Sequence, residues 1–220
     1  MSVLSAQKVS KYFGTFPALR QLSFELEAGD CVALLGRNGA GKTTLLQLMA
    51  GLSRPTDGKL KVASRISLLG HGIGVYDELS ARENLQFFAG LSPVAIDVDA
   101  WLRKVNLFEV ANAPLREYSR GMRQRLALAR TFMGEPELLL LDEPFTSLDD
   151  KSTVLLQTLL AEALARKATI VVSTHQIPEA MTLASRILFL ERGKLAYFGP
   201  RPEEMLCDSN WLYRTYGEAT

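Results

Sequence analysis

The sequence predicts an α/β fold: a phosphate-loop core with a mainly parallel sheet, an antiparallel N-terminal β subdomain and an inserted helical subdomain. Three observations predict it. The apolar run Cys31-Val32-Ala33-Leu34-Leu35 leads into the glycine-rich Gly36-Arg37-Asn38-Gly39-Ala40-Gly41-Lys42-Thr43, and the apolar-periodic Thr44-Leu45-Leu46-Gln47-Leu48-Met49-Ala50 follows, which reads as strand, loop and helix. The unbroken run Leu138-Leu139-Leu140-Leu141 is what a central parallel strand covered on both faces requires. Beyond it, helix-like and strand-like segments alternate toward the C-terminus.

Composition narrows the class of protein. At 220 residues with 47% apolar content, the chain suits one domain, or a core with a subdomain, and can bury a proper core. The charges nearly balance, 25 Lys and Arg against 24 Asp and Glu, so no whole-chain field recruits nucleic acid or anionic lipid. No nucleic-acid partner is expected. No apolar run approaches the roughly 20 residues that span a bilayer, and Met1-Ser2-Val3-Leu4 carries no basic-then-apolar leader, so the expected location is the cytosol. Cys31 and Cys207 have neither CxxC spacing nor an oxidising setting, and both read as reduced thiols.

The elements follow in order. Ser2 to Val9 and Leu19 to Leu26 alternate as half-exposed strands around the turn-rich Tyr12-Phe13-Gly14. After the loop and its helix, Gly51 to Gly58 is turn chemistry, and Lys59 to Val62 and Arg65 to Leu69 are strand-like. Residues 77–133 turn helical, leaving 1–76 and 134–220 as the core. Ser80 and Glu83 form a capping-box signature ahead of Leu85, Phe87, Phe88 and Leu91, and Asp99 precedes Trp101, Leu102, Val105, Leu107 and Phe108 at helical spacing. A third helix starts near Arg120, with Met122, Leu126, Ala129 and Met133 on one face and Arg123, Arg125 and Arg130 outside it as a solvated face. A helix from Ser152 to Ala165, a strand from Thr169 to Ser173, a helix after Pro178 and a strand from Ile187 to Leu190 continue the alternation. Glu191-Arg192-Gly193-Lys194 then closes a hairpin onto Leu195 to Phe198.

The loop fits G-x-x-x-x-G-K-[ST] at each fixed position. Its glycines let backbone N–H groups close around phosphate oxygens, the positive end of the next helix faces the same anion, Lys42 can reach the outer phosphates and the Thr43 hydroxyl can hold Mg²⁺. A glycine-rich turn closing a βα unit is the plain alternative. A phosphate loop alone also fits a kinase, a GTPase or a motor. Asp142 and Glu143, at the end of the apolar run, put one carboxylate where it can hold the Mg²⁺ shell and the next where it can activate water. The same pair could cap a helix.

The stretch Tyr118-Ser119-Arg120-Gly121-Met122-Arg123-Gln124-Arg125 narrows the choice. With the loop and the carboxylates it resembles the ATP-binding-cassette ATPases, whose signature reads roughly L-S-G-G-Q, and the resemblance covers nearly the whole chain. Ser147-Leu148-Asp149 looks like the family's D-loop, His175 stands as its switch histidine does, and Phe13, with Tyr12 as alternative, matches the aromatic that stacks on adenine. Arg120 replaces a glycine and Met122 a glutamine of the signature, while Ser119 and Gly121 keep a hydroxyl and an unhindered N–H at a helix N-terminus. A plain helix cap is the other reading of Ser119. His71 stands where the family has a glutamine, in Leu69-Gly70-His71-Gly72. That wording, with Leu141 to Thr146 and Ser173-Thr174-His175-Gln176, looks like the ATPase subunits of cytochrome c maturation transporters, described as haem exporters.

The resemblance implies ATP held by Phe13 and by Gly36, Arg37, Asn38, Gly39, Ala40, Gly41, Lys42, Thr43 and Thr44, with Ser119, Gly121, Met122 and Asp149 also on the nucleotide. It implies Mg²⁺ held by Thr43 and, through water, by Asp142, and hydrolysis served by Glu143, His175 and His71. It further implies a homodimer of ATPase subunits sandwiching two nucleotides, peripheral on the inner face of the membrane beneath transmembrane permease subunits. A soluble cassette ATPase acting on nucleic acid or the ribosome usually carries tandem cassettes or a coiled-coil insertion, and this chain has neither. A small-molecule kinase gives no reason for Ser119-Arg120-Gly121 between loop and carboxylates.

Overall fold

The computed structural model describes residues 2–62, 65–70, 74–146, 148–174, 183–208 and 211–217. The chain opens with two long strands, β1 (Ser2–Phe13) and β2 (Phe16–Glu27), and β4 (Asp57–Val62) adds to the free side of β1, giving an antiparallel sheet of order β2-β1-β4. The strands are longer than their alternation suggests, and Tyr12 and Phe13 pair with Pro17 and Phe16 rather than forming the turn. Irregularities explain the difference. Lys8 and Gln21 take left-handed φ of 50° and 49° where the register shifts, and each shift breaks a period-2 pattern without ending the strand.

The central sheet has the order β5-β6-β7-β3-β8-β9, from β5 (Ile66–Leu69), β6 (Leu138–Asp142), β7 (Thr169–Ser173), β3 (Cys31–Leu35), β8 (Arg186–Glu191) and β9 (Lys194–Pro200). All its pairs are parallel except β8 with β9. Side chains alternate across it. Val32, Leu34, Leu138, Leu140, Val171 and Leu188 face α1 (Lys42–Met49) and the antiparallel sheet. Cys31, Leu139, Leu141, Ile170 and Val172 face α4 (Arg120–Phe132) and α5 (Asp150–Ala165), while Ala33, Leu35, Ile187 and Phe189 face two short helices, Glu204–Cys207 and Trp211–Tyr216. Burial on both faces is why these strands read as continuous apolar runs. It also silences Cys31, whose thiol is pushed up to about 12 by burial and by the nearby Asp30 charge. The side chain of Cys207 lies outside the described residues.

Helices α2 (Ala81–Gly90), α3 (Val98–Lys104) and α4 enclose a separate cluster of Leu85, Leu102, Val105, Leu107, Leu115, Leu126 and Ala129. The capping box is present, with Ser80 Oγ accepting from Glu83 N–H at 3.3 Å and the Glu83 carboxylate accepting from Ser80 N–H at 2.8 Å. Asp97, not Asp99, caps α3, accepting from Ala100 N–H at 3.0 Å. Asp99 sits in the first turn and pairs with Arg82.

The three arginines of α4 do not form a solvated face. Arg123 donates to Asp77 at 2.6 Å, Arg125 Nε donates to the Val105 carbonyl at 3.1 Å, and the Arg130 guanidinium lies 4.7 Å from the centre of the Phe88 ring. Burial lowers the pKa of Arg130. The segment before α2 and the end of α3 cover the polar arc of α4. A planar guanidinium tolerates that cover because it can donate to a carbonyl and stack on a ring while its stem packs.

Asn84, fully buried, clamps the turn before α2. Its Oδ1 accepts from Tyr76 N–H at 2.8 Å, and its Nδ2 donates to the carbonyls of Tyr76 at 3.0 Å and Ser80 at 2.9 Å. Asn84→Leu leaves the Tyr76 N–H without its acceptor, while the Tyr76 carbonyl keeps the Leu79 N–H at 3.2 Å and the Ser80 carbonyl keeps the residue 84 N–H at 3.0 Å, and the expected loss is about 1–3 kcal/mol. Urea unfolding checks it, and a midpoint equal to wild type refutes the clamp.

Candidate active site

The phosphate loop spans the gap between β3 and α1, and packing forces two of its glycines. A Cβ on Gly36 would meet the Leu190 carbonyl at 2.5 Å, and one on Gly41, at φ 102°, would meet the Ala18 carbonyl at 2.8 Å and Leu19 Cδ2 at 2.6 Å. Gly36 lets the loop leave the sheet beside β8, and Gly41 lets α1 start against β2. The Gly193 N–H donates to the Ala40 carbonyl at 3.1 Å and its own carbonyl accepts from Arg20 N–H at 2.7 Å, tying the β8–β9 hairpin to both. No side chain caps α1, so its first N–H groups face outward into the loop.

Lys42 is buried and turns back through the loop, its Nζ donating to the carbonyls of Gly36 at 2.8 Å and Arg37 at 3.4 Å. Thr43 is exposed and Thr44 half-buried. The Thr43 hydroxyl donates to Asp142 Oδ2 at 2.8 Å, Ser173 donates to Asp142 Oδ1, and Ser173 receives the Glu143 N–H on Oγ at 3.1 Å and on its carbonyl at 3.0 Å. The parallel register places Asp142 opposite Ser173 and so builds this network. Glu143 holds a left-handed φ of 53°, a backbone cost of about 1–2 kcal/mol that turns the chain at the end of β6. Ser173 is the member the sequence reading missed. A serine ending a predicted parallel strand was its signal.

A second group forms around the start of α4. Ser119 caps the helix, its Oγ accepting from Met122 N–H at 3.2 Å. A Cβ on Gly121 would stand 2.7 Å from Asp149 Oδ2, so these two residues are in contact. Asp149 caps α5 by accepting from Ser152 N–H at 2.7 Å, and hydrogen bonding from Ser152 holds its carboxyl below the ordinary range. Ser119, Arg120 and Asp149 are exposed, whereas the Met122 side chain packs on the helical cluster. Phe13 ends β1 with 54% of its surface exposed and Lys11 Nζ 5.3 Å from its ring centre, and Tyr12 is 41% exposed. His71, His175, Ser147 and the helix expected after Pro178 lie outside the described residues.

A glycine-lined loop at a strand-to-helix turn, its lysine inside it and its threonine on a strand-end aspartate define a phosphate-loop nucleotide-binding fold. Residues 19–146 match the family model described as ABC transporter, and the chain belongs to that family, as an ATP-binding subunit that hydrolyses ATP. It is 42% identical over 190 residues to the cytochrome c biogenesis ATP-binding export protein CcmA 2 of Cupriavidus metallidurans, covering 80% of this chain and 90% of that one. It is 37% identical over 222 residues to the probable sulfate/thiosulfate import ATP-binding protein CysA of Chlorella vulgaris, covering 92% and 93%. Its fold matches a dimeric ATP-binding cassette in a post-hydrolysis state bound to ADP and Pi, at a TM-score of 0.80 and 24% identity over 90% of this chain and 99% of that chain.

Proposed function

We propose that two copies of this chain close on two ATP molecules and thereby drive a pair of membrane permease subunits, the chain itself staying peripheral on the inner face of the membrane. The observation that carries this is the Lys42, Thr43, Asp142, Ser173 and Glu143 constellation, and the dimeric form of the matched cassette supports the pairing. Among the described residues no helix is long and apolar enough to cross a membrane. The division of labour is a core of residues 1–76 and 134–220 that holds ATP and a helical part, 77–133, that presents Ser119 and Gly121 to the partner's nucleotide.

The roles follow from the contacts. Lys42 exchanges the carbonyls of Gly36 and Arg37 for phosphate oxygens, and Glu143 takes the proton of the attacking water. Thr43 and Asp142 offer hard oxygens 2.8 Å apart, a donor set that fits Mg²⁺, which when bound neutralises charge on the outer phosphates. Exposed Ser119, with the bare N–H of Gly121 and with Asp149 beside it, offers donors and a helix N-terminus to the second nucleotide. His71 and His175 are assigned to the γ-phosphate side on the family pattern. The test is MgATP turnover of the purified chain against protein concentration. Specific activity that rises with concentration supports the paired site, and activity independent of it refutes the pairing.

The cargo we propose is the haem-linked substrate of cytochrome c maturation. It is supported by the 42% identity to an export protein of that name and by the wording around His71 and His175. Co-purification of the membrane partner tests it. A permease that works with an external binding protein for an imported solute overturns the cargo and leaves the ATPase intact.

Phe13 is proposed as the adenine platform. Stacking is worth about 1–3 kcal/mol per base, so Phe13→Ala should raise the KM for ATP about 5- to 150-fold with kcat little changed, because the ring touches nothing that reacts. If Phe13→Ala is silent while Tyr12→Ala raises KM, the platform is Tyr12.

A further inference from the structure

Arg125 stands on α4 one turn beyond Gly121, and its guanidinium lies where three elements meet. Its Nε donates to the Val105 carbonyl at 3.1 Å, at the C-terminal end of α3, where helix carbonyls lack partners within the helix. Its Nη1 stands 4.0 Å from Asp149 Oδ2 as an ion pair, with only 15% of the arginine side chain exposed. Asp149 caps α5 through its other oxygen, which accepts from Ser152 N–H at 2.7 Å. The third element is the first turn of α4 itself: a Cβ on Gly121 would stand 2.7 Å from Asp149 Oδ2 and 3.7 Å from Arg125 Nη1.

A neutral donor could serve the Val105 carbonyl alone. What calls for a planar cation is a carbonyl and a carboxylate on different elements, met in the fixed directions of one fork. The Ser119 cap cannot do this work, because its bond from Met122 N–H at 3.2 Å shapes the first turn of α4 without setting where that turn stands against α5. Asp149 also follows Glu143 along the chain, so the bridge links the segment that carries the chain's own carboxylates to the turn that carries Ser119 and Gly121.

We propose that Arg125 is a positioning residue for the paired site: bridging the end of α3 and the Asp149 cap of α5, it fixes where the first turn of α4 stands and so where Ser119 and Gly121 meet the partner's nucleotide. The inference rests on the reading of this chain as one half of a paired site. Asp149 then acts on the signature turn of its own chain, through Arg125. Loss of the fork lets that turn shift against α5 and leaves alone Lys42, Thr43 and Asp142, which lie on α1 and β6.

The experiment places Arg125→Lys and Asp149→Asn, singly and together, in full-length Glu143→Gln. It measures the dimer Kd by sedimentation in saturating MgATP, and the Kd for ATP at a dilution where the chain is single. Lysine keeps the charge but not the fork, and asparagine keeps an oxygen for the α5 cap but not the charge. Losing the bridge weakens each site about fivefold and a closed pair contains two, so each single variant should raise the dimer Kd about 25-fold, with the single-chain Kd for ATP within about twofold. The double variant should match the single ones, since both break one bridge. A purely structural arginine would lower the folded fraction and leave the dimer Kd of the folded chain at the parent's value, and that result overturns the inference. So does a double variant whose losses add, because Asp149 would then reach the nucleotide by itself, and so does a single-chain Kd for ATP that rises with the dimer Kd. Should Arg125→Lys not fold, Asp149→Asn carries the test, and the parent's dimer Kd there is equally fatal. Failure of the pairing looks different: Glu143→Gln alone would stay single at every MgATP concentration, and both readings fall. If Glu143→Gln pairs and Arg125→Lys pairs as tightly, only the role of Arg125 fails.

Discussion

Glu143→Gln is expected to bind ATP and hardly hydrolyse it, with turnover lower by about 10²- to 10⁴-fold, the usual worth of a positioned general base. The amide has the shape of the carboxylate and still accepts hydrogen bonds, but it cannot take a proton from water. Binding should survive because what holds this corner does not involve the side chain that changes. The Glu143 N–H is fixed by Ser173 at 3.1 and 3.0 Å, and Asp142 keeps its bonds from Thr43 and Ser173. With ATP bound and not consumed, a closed dimer should accumulate. Size-exclusion chromatography with MgATP beside steady-state turnover measures both, and near-normal turnover removes Glu143 from the catalytic role. Lys42→Ala should differ in kind, losing phosphate binding itself.

The elements that read clearly from sequence are those whose pattern one local force dictates. The apolar run at Leu138 to Leu141 has the pattern of a doubly covered strand and is one, and the Ser80 and Glu83 box carries its own hydrogen-bond logic. Reading failed where a residue's partner lies far along the chain. Arg123, Arg125 and Arg130 look solvated on a helical wheel, because a wheel does not show Asp77, Val105 and Phe88 folding over them. Asp99 stands just before the apolar positions, but α3 already begins at Val98 behind the Asp97 cap, which leaves Asp99 in the first turn to pair with Arg82.

The site divides in the same way. Lys42, Thr43, Asp142 and Glu143 were singled out because the motifs fix their spacings, and in the structure Lys42 bonds back to the loop carbonyls while Thr43 bonds to Asp142. Ser173 and Gly193 were not singled out, since each reaches the loop or its carboxylate through sheet register or a chain return that no local window contains.

Gly41→Ala should cost the protein both ATP binding and about 3–5 kcal/mol of stability, and two separate terms add to that figure. The first is backbone strain: at φ 102° an alanine sits where L residues rarely go, worth about 1–3 kcal/mol. The second is steric, because the new Cβ would stand 2.8 Å from the Ala18 carbonyl and 2.6 Å from Leu19 Cδ2. The side chain of Leu19 can give a little, but Ala18 belongs to a β2 backbone that Arg20 ties to Gly193, and Gly193 to Ala40. Relief must therefore come from α1 moving away from β2, which pulls Lys42 and Thr43 out of register with Gly36 and Asp142. Gly39→Ala is the control for the first term: Gly39 also has a positive φ, 83°, but nothing lies within 4 Å of where its Cβ would go. It should lose only about 1–3 kcal/mol, the strain alone. Urea unfolding of the two variants, with ATP binding measured on the folded fraction, tells the terms apart. Equal losses in the two variants would mean that the contact of α1 with β2 yields easily, and that backbone conformation alone demands glycine at Gly41.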